Sequence, residues 1–497
     1  MKAIMGKNRT AFYILFVLTL SIALAACGGG GSSSDSGGVV PGTGTATIQG
    51  SVPGTVFMAV NNNTNLEVGR VTASGTPKTF SMVVPTGANY RFYVMENEND
   101  PGNSRVYPMY MGTNNVFELD NTANGQMITL GMVNPDMGTG KAIPVNTPPL
   151  MMGRGVNNTI PSSLAGMAFS MDNVKGTTWG YNTMMTSGTM GWEHGTLSFD
   201  SNGLGNMTGS RNGSPVSRSN IPYIMSTSGM LFDPGDSTFQ GVVSRDMSVM
   251  VSTFTDATGG TAMMIAQKRG GTFLASDMTG TWRFQRLTAG SDNTTSGWAY
   301  GNMAMVSGIA TSISMTTNTG VVGGGNFALS MNADGIMTDS VNSSFYGVMS
   351  MDKSMIVATD TNSGGHPEIW VMMRTTTAST ADMMGDWVMH SVSSGNSGSR
   401  GWTYGHSVVD TNGNDTFSGM MGSAGPVSAT QMTFSMSGGE MTMSGTGGGT
   451  GGGMGGGMMG GGMMTSTFHG IMNGAKNIMV SNYSDGSGGY PFSIQVK

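Results

Sequence analysis

Short runs of apolar residues, many of them alternating with polar residues, follow one another along most of this chain. Residues 56–60, 80–84 and 127–130 are three such runs, and turn-forming residues separate them. Alternation with a period of two places every second side chain on one face, as in a half-buried β-strand. Beyond residue 162 similar runs are joined by Asn, Asp, Gly and Ser turns, for example at 332–335. The pattern predicts an all-β protein.

Four sequence marks divide the C-terminal part into three copies of a unit of about 105 residues. The first mark is Gly-x-Trp at 280–282 and 385–387, with 166–168 as its degenerate counterpart in the first copy. The others are a Trp with a Gly three residues later, a Phe-x-Gly sequence, and a basic residue 29 positions after that Phe. These three marks lie at 192–195, 298–301 and 402–405; at 239–241, 345–347 and 468–470; and at Lys268, Arg374 and Lys497.

Each copy contains about eight strand-like runs, which predicts an antiparallel β-meander of domain size. Eight strands suffice to close a small barrel. The alternative is one six-bladed β-propeller, to which each copy contributes two blades. The two halves of a copy do not resemble each other, and this favours three barrels. Each barrel is then expected to fold by itself, because a closed sheet needs no neighbour.

A Gly-x-Trp on the first strand and a basic residue on the last strand resemble the arrangement in calycins, the group of lipocalins and avidin-like proteins. This resemblance implies an eight-stranded barrel in which the basic side chain packs over the Trp. The copies also resemble tandem units of secreted and surface bacterial lipoproteins of unknown function. That second resemblance implies no activity.

A smaller β-domain is predicted ahead of the repeats. The sequence Gly50-Ser51-Val52-Pro53-Gly54, followed by 80–84 and 85–90, resembles transthyretin-like or carboxypeptidase-regulatory-like β-sandwiches. The predicted organisation is a signal peptide at 1–26, a flexible tether at 27–45, a β-sandwich at 46–134, a linker at 135–161, β-repeats at 162–270, 276–375 and 381–497, and a Gly/Met-rich insertion in the third repeat at 447–464.

The N-terminus has the layout of a bacterial lipoprotein leader. Basic residues precede an apolar stretch at 11–24, and Leu24-Ala25-Ala26-Cys27 matches the lipobox. This resemblance implies cleavage before Cys27 and acylation of its thiol, so the membrane is the first expected partner. Gly28 rather than Asp follows Cys27, which by the enteric sorting rule favours the outer membrane. The sequence leaves open whether the protein faces the periplasm or the cell surface.

Composition and charge exclude several classes of function. The chain has 22 Lys and Arg against 28 Asp and Glu, and its net charge of −6 argues against a nucleic-acid partner. With Cys27 as the single cysteine, disulfides, haem attachment and cysteine-based zinc sites are excluded. The five histidines show no metal-binding or catalytic spacing, so no enzyme activity and no resident cofactor are predicted.

Two aromatic pairs are the first candidate binding residues. Trp298 with Tyr300, and Trp402 with Tyr404, are two positions apart, so the rings of each pair share one face of a strand. If that face points inward, the rings are barrel core, and their fixed place in the repeat favours this interpretation. If it points outward, they form a stacking platform for a cell-surface glycan or a small apolar ligand.

Methionine offers a second candidate chemistry. The chain has 51 methionines, most of which we interpret as core residues in place of Leu. Thioethers also bind Cu(I), and reversible sulfoxide formation would let them buffer oxidants. The candidate metal ligands are Met454, Met458, Met459, Met463, Met464 and His469.

The sequence therefore predicts a lipid-anchored binding or structural protein of the cell envelope, built from tandem β-repeats and without catalytic activity. The alternative is a Met-rich envelope protein that binds Cu(I) or buffers oxidants.

Overall fold

The computed structural model of the chain describes residues 44–99, 104–136, 139–323, 328–428, 430–443 and 468–497. All of them belong to one compact unit, 42–497. Its regular structure is almost entirely β-sheet, which confirms the predicted fold class. In this part of the chain no helix has the length and apolar character needed to span a membrane. The helical segments are short: α1 (Thr380–Met383) and 3₁₀ turns at Asn121–Ala123, Ser162–Leu164, Met171–Asn173, Ala275–Met278 and Ser397–Ser399.

The N-terminal region is a β-sandwich of two sheets. Its strands are β1 (Thr45–Ser51), β2 (Val56–Asn61), β3 (Glu67–Thr72), β4 (Thr79–Pro85), β5 (Ala88–Met95), β6 (Val106–Pro108), β7 (Val116–Leu119), β8 (Met127–Asp136), β9 (Lys141–Pro144) and β10 (Met152–Gly155). One sheet has the order β4-β1-β8-β9 and the other β10-β7-β5-β2-β3, with β6 paired to β5. Alternate residues of β4 point inward, and Phe80 stacks on Phe57 of the opposite sheet with 4.0 Å between ring centroids. Alternation in the sequence thus produces the sandwich core.

The segment 135–161, predicted to be a linker, is an integral part of this sandwich. It contains β9, which pairs with β8, and β10, which pairs with β7. Just beyond it, Leu164 packs on the outer face of the larger sheet. The linker prediction failed because both strands are short and contain Pro or Gly, which conceal the alternation of a strand.

The repeats fold into sheets that curl into barrels, named here barrels 1, 2 and 3. Barrel 1 contains β11 (Thr178–Met185), β12 (Gly191–Phe199), β13 (Gly205–Arg211), β14 (Ser214–Ile221), β15 (Ile224–Met225), β16 (Met230–Asp233), β17 (Asp236–Val243), β18 (Val249–Thr255) and β19 (Thr261–Lys268). Barrel 2 contains β20 (Gly280–Thr288), β21 (Gly297–Val306), β22 (Ile309–Thr317), β23 (Gly320–Gly323), β24 (Leu329–Met331), β25 (Ile336–Asp339), β26 (Tyr346–Met349), β27 (Met355–Thr361) and β28 (Pro367–Arg374). Barrel 3 contains β29 (Gly385–Gly395), β30 (Gly401–Val409), β31 (Asn414–Gly422), β32 (Gly425–Pro426), β33 (Thr430–Ser437), β34 (Glu440–Met443), β35 (His469–Met472), β36 (Ile478–Asn482) and β37 (Gly489–Val496).

Sheet order decides between barrels and a propeller. In each repeat the first strand pairs with the last: β11 with β19, β20 with β28, and β29 with β37. Among the described strands of barrel 3, eight form a closed ring through the pairing of β31 with β33. In barrel 2 a bridge from Ile309 to Ala328 joins the two ends of the sheet. A repeat split into two blades would not pair its first strand with its last, so the propeller alternative is wrong.

A fully buried Trp lies on the first strand of each barrel, at Trp179, Trp282 and Trp387. Arg374 lies over the ring of Trp282 at 4.5 Å and Lys497 over that of Trp387 at 5.1 Å, as the calycin resemblance implies. Trp179 pairs with Lys268 in the same register as Trp282 with Arg374.

The first copy therefore has the Trp of the first mark, at Trp179. The assignment of this mark to 166–168 was wrong. The mark was missed because Thr177 stands where the other copies have Gly280 and Gly385, so the Gly-x-Trp signature is lost although its Trp remains.

The barrels pack on one another in a ring. Strands β11 and β12 of barrel 1 lie against β26–β28 of barrel 2, β20 and β21 of barrel 2 against β35–β37 of barrel 3, and β29 and β30 of barrel 3 against β18 and β19 of barrel 1. The front of each barrel thus meets the back of the next, a head-to-tail arrangement that closes on itself.

Outward-facing apolar residues of all the barrels merge into one continuous core in this ring. Representative members are Met184, Ile265, Leu287, Val371, Val392 and Ile494. The barrel interiors form separate clusters of their own. The expectation that each repeat folds by itself did not anticipate this core, because it rested on the closure of the sheet alone.

The sandwich sits on barrels 1 and 3 through a buried polar junction. Glu96, which follows β5, forms an ion pair with Arg245 of barrel 1 and accepts a hydrogen bond of 2.7 Å from Tyr107. Arg105 donates to the backbone carbonyl of Val496 on the last strand of barrel 3 at 3.3 Å. Buried charges are tolerated where they are paired in this way.

Candidate ligand-binding site

The predicted aromatic residues lie between barrels. Trp298 and Trp402 point outward from their strands and are only 2% and 7% exposed, because the next barrel covers them. Trp298 donates its indole N–H to Ser484 Oγ of barrel 3, and Trp402 donates to Thr255 Oγ1 of barrel 1, each at 2.9 Å. In the same way Trp192 of barrel 1 donates to Thr361 of barrel 2 at 2.8 Å.

The partner rings of these tryptophans are part of the same contacts. Tyr300 lies 5.7 Å from Trp298 and stacks on His469 of barrel 3 at 3.4 Å between centroids. Tyr404, 7% exposed, lies 5.9 Å from Trp402. Neither the barrel-lining interpretation nor the stacking platform is correct, since these rings form the cores of interfaces between barrels.

The histidines at these interfaces are held in the neutral state. Burial lowers the pKa of His194 to about 4, of His390 to about 3 and of His469 to about 4. His194 stacks on Tyr346 of barrel 2 at 4.0 Å, and His390 Nδ1 lies 3.1 Å from Thr253 Oγ1 of barrel 1. His469, predicted as a copper ligand, is thus engaged in packing.

The other predicted site residues fall outside the described ranges. They are Cys27 and the methionines Met454, Met458, Met459, Met463 and Met464. Among the described residues, no His, Cys, Asp and Glu side chains gather in groups of three or more as a metal site requires. The Cu(I) alternative therefore stays a prediction about the insertion.

A cavity of about 280 Å³ inside barrel 1 is the candidate site. It follows from the alternation along β11, where Trp179, Tyr181 and Thr183 face the interior. Trp179 belongs to the apolar cluster that fills the barrel, whereas Thr183 lies on the cavity wall. The described lining residues are Thr183, Met185, Glu193, Met207, Arg211, Arg218, Ile221, Tyr223, Asp233, Asp236, Phe239, Phe254, Thr255, Asp256, Ala257 and Met264.

Glu193 of β12 is the most deeply buried charge of this lining, at 3% exposure. Arg218 binds it with both terminal guanidinium nitrogens, with N–O distances of 2.9 and 2.6 Å, and Tyr181 donates its hydroxyl to Oε1 at 3.0 Å. Bidentate pairing fixes the carboxylate in one orientation. Burial and the charge of Glu193 raise the pKa of Tyr181, so its hydroxyl stays protonated as a donor.

A second ion pair begins beside the first, because Arg211 of β13 is the cross-strand partner of Glu193. Arg211 at the end of β13 binds Asp256, which follows β18. Asp256 also accepts hydrogen bonds from Thr258 and Gly260 in its own turn. Although burial opposes it, these bonds lower the pKa of Asp256, so the group is an anion at neutral pH.

Barrels 2 and 3 do not have this polar lining at the matching positions. Glu193 corresponds to Ala299 and Thr403, and Tyr181 corresponds to Phe284 and Met389. The interior of barrel 3 retains about 30 Å³ of free space between apolar side chains such as Phe417 and Phe434. The sequence did offer one signal for the cavity. Glu193 places a carboxylate within a repeat mark in the first copy, where the other two copies have uncharged residues.

No family model matches the chain, and no curated protein matches it. Among solved structures it is similar to transferrin binding protein B from Haemophilus parasuis, with a TM-score of 0.24, 8% identity, and coverage of 65% of this chain and 75% of that one. Transferrin binding protein B from serogroup B Neisseria meningitidis gives a TM-score of 0.22 at 8% identity, covering 64% and 76%. A protein with unknown function from Nostoc punctiforme gives 0.16 at 10% identity, covering 40% and 95%. Scores this low assign no function.

Proposed function

We propose that this chain is a non-enzymatic binding protein of the bacterial cell envelope, anchored through acylated Cys27, and that it binds a small molecule in the cavity of barrel 1. The cavity carries this proposal. It combines an apolar wall of methionines and aromatic rings with charged groups in fixed positions, and small-molecule sites likewise join apolar contact to placed polar groups.

The state of the charged groups supports binding over catalysis. Glu193 is held by Arg218 and Tyr181, and Asp256 by Arg211 and Thr258. A general base or nucleophile must be able to exchange its partners for the reacting group. Charges that are fixed in pairs instead give a preorganised wall, which lowers the entropy cost of binding.

The envelope location is supported by the leader at 1–26 and the lipobox that ends at Cys27. The shared core of the ring packs barrel 1 against barrels 2 and 3.

A screen of thermal unfolding with a small-molecule library, using the full chain purified in detergent, tests this proposal. Ala257 lies exposed at the edge of the cavity, so Ala257→Trp should fill the opening without disturbing the core. Ala424→Trp places the same side chain on an exposed turn of barrel 3 and is the matched control.

Compounds that bind in the cavity should raise the unfolding temperature of the wild type and of Ala424→Trp, and should not raise that of Ala257→Trp. If every stabilising compound acts equally on all three proteins, the cavity is not the binding site and the proposal is wrong.

A further inference from the structure

We propose that the ligand of the barrel 1 cavity is a small organic cation, with an ammonium group held among carboxylates and an apolar part held against aromatic rings. This inference rests on the proposed function and adds the chemical class of the ligand.

The charges of the lining do not balance. Among the described lining residues there are four carboxylates, Glu193, Asp233, Asp236 and Asp256, and two guanidinium groups, Arg211 and Arg218. Each guanidinium is paired with one carboxylate, Arg218 with Glu193 and Arg211 with Asp256. Two negative charges, on Asp233 and Asp236, therefore remain without a cation in the lining.

Asp233 and Asp236 lie together in the turn between β16 and β17. Their carboxylates accept hydrogen bonds from local groups: Asp233 from the backbone N–H of Gly235 at 2.8 Å, and Asp236 from Thr238 N–H at 2.9 Å and Thr238 Oγ1 at 2.7 Å. These neutral donors position the carboxylates but leave their charge in place. Both residues are half-buried, so water screens them less than it screens an exposed turn.

The pKa of Tyr223, which lines the cavity, is affected by these charges. Burial raises the pKa of its phenol most, and the carboxylates of Asp233, Asp236 and Glu193 raise it further against the opposing effect of Arg218. Burial disfavours any charged group at this place, whereas the contribution of the carboxylates disfavours an anion and favours a cation.

Aromatic rings form the adjoining wall. Tyr223 lies 5.4 Å from Phe239, and Phe239 lies 5.9 Å from Phe254, measured between ring centroids. Ring faces attract ammonium groups, and the attraction is strongest where water is excluded. Met207 and Met264 add a polarisable apolar surface that suits an alkyl chain.

Three probes of equal chain length separate the charge from the apolar contact: hexylammonium, hexanol and hexanoate, titrated into the detergent-purified full chain by calorimetry at neutral pH. Hexylammonium should bind at least about tenfold more tightly than hexanol, a difference of about 1.4 kcal/mol, and hexanoate should bind most weakly.

The double variant Asp233→Asn with Asp236→Asn tests the source of the preference. Asn keeps the acceptor oxygen that each turn needs and removes the charge. Hexylammonium should lose about tenfold in affinity, whereas hexanol should bind as before. Asp352→Asn, in an exposed turn of barrel 2 where Asp352 accepts from Ser354, is the matched control and should change neither.

The outcomes distinguish this inference from the proposed function. If hexanol binds as tightly as hexylammonium and Ala257→Trp abolishes both, the site stands and the cation inference is wrong. The cation inference is also wrong if the double variant binds hexylammonium as tightly as the wild type does. It is wrong as well if hexylammonium does not bind at millimolar concentration. Binding of all probes that Ala257→Trp leaves unchanged overturns the site itself.

Discussion

Trp298 of barrel 2 donates its indole N–H to the hydroxyl of Ser484 in barrel 3, and the same contact recurs at each junction of the ring. In every case the hydroxyl residue lies 16 positions after the Phe of the Phe-x-Gly mark. The repeat therefore encodes its own interface as well as its own barrel. Equivalent contacts that run from the front of one unit to the back of the next close into a ring.

Removing this hydrogen bond should weaken the ring. Trp298→Phe keeps an aromatic ring in the interface but leaves the Ser484 hydroxyl without its donor, and should cost about 1–2 kcal/mol of unfolding free energy. Urea unfolding measures the loss. Ser484→Ala should cost a similar amount, and the double variant should cost less than the sum of the two, because both remove one contact. Strictly additive losses would contradict the assigned contact.

An excised repeat should not behave as a soluble monomer. A fragment spanning 276–375 exposes the outward faces of β20 and β28, including Leu287, Ile369 and Val371, each fully buried in the whole chain. Contiguous apolar surface of this kind drives association. Light scattering on the purified fragment should show oligomers or aggregate. A monomer that unfolds cooperatively would show instead that the shared core is dispensable.

Stability should fall as the pH drops from 7 to 5, in part through the interface histidines. An unfolded histidine has a pKa near 6.5, whereas folding lowers that of His194 to about 4. The unfolded state thus binds more protons in this window. The contribution of His194 to stability is complete above pH 6.5 and is lost as the pH falls toward 4.

His194→Tyr isolates this contribution, since Tyr300 and Tyr404 occupy the same repeat position in the other copies. Its unfolding free energy should decline less than that of the wild type between pH 7 and 5. The difference between the two proteins is the quantity to measure, because burial raises the pKa of Asp415 to about 6 and so gives an opposite slope in both. Equal declines in the two proteins would contradict the burial of His194.

The anchor prediction is tested by cell fractionation. Wild-type protein should partition with the membrane fraction, and Cys27→Ser, which cannot be acylated, should be released from it or accumulate unprocessed. Mass spectrometry of the N-terminal peptide should find acyl chains on Cys27. Wild-type protein in the soluble fraction without acyl chains would be incompatible with the proposed location.

Local patterning was enough to predict the strands of the barrels and their closure, and the calycin resemblance implied the basic residue over Trp282. It did not predict the side of the barrel wall on which Trp298 lies, because β20, β21 and β28 have apolar residues on both faces. One face packs inside the barrel and the other packs in the shared core between barrels. Neither face is polar, so the pattern of the sequence does not show which one is the exterior.

The cavity escaped prediction for a different reason. Its charged residues are spread from Glu193 to Asp256 over separate strands and turns, and no spacing connects them. In the sequence, Arg218 has the character of an ordinary surface residue. Its pairing with Glu193 depends on the register of β12, β13 and β14, which the sequence does not show. Such a site exists only once the barrel has closed.

A crystal structure of the full chain with hexylammonium shows whether barrel 1 binds an organic cation, because it locates the ligand. If the proposal is right, we expect density within barrel 1, with the nitrogen beside Asp233 and Asp236 and the alkyl chain against Phe239. Density at any other place, with the barrel 1 cavity empty, would contradict it.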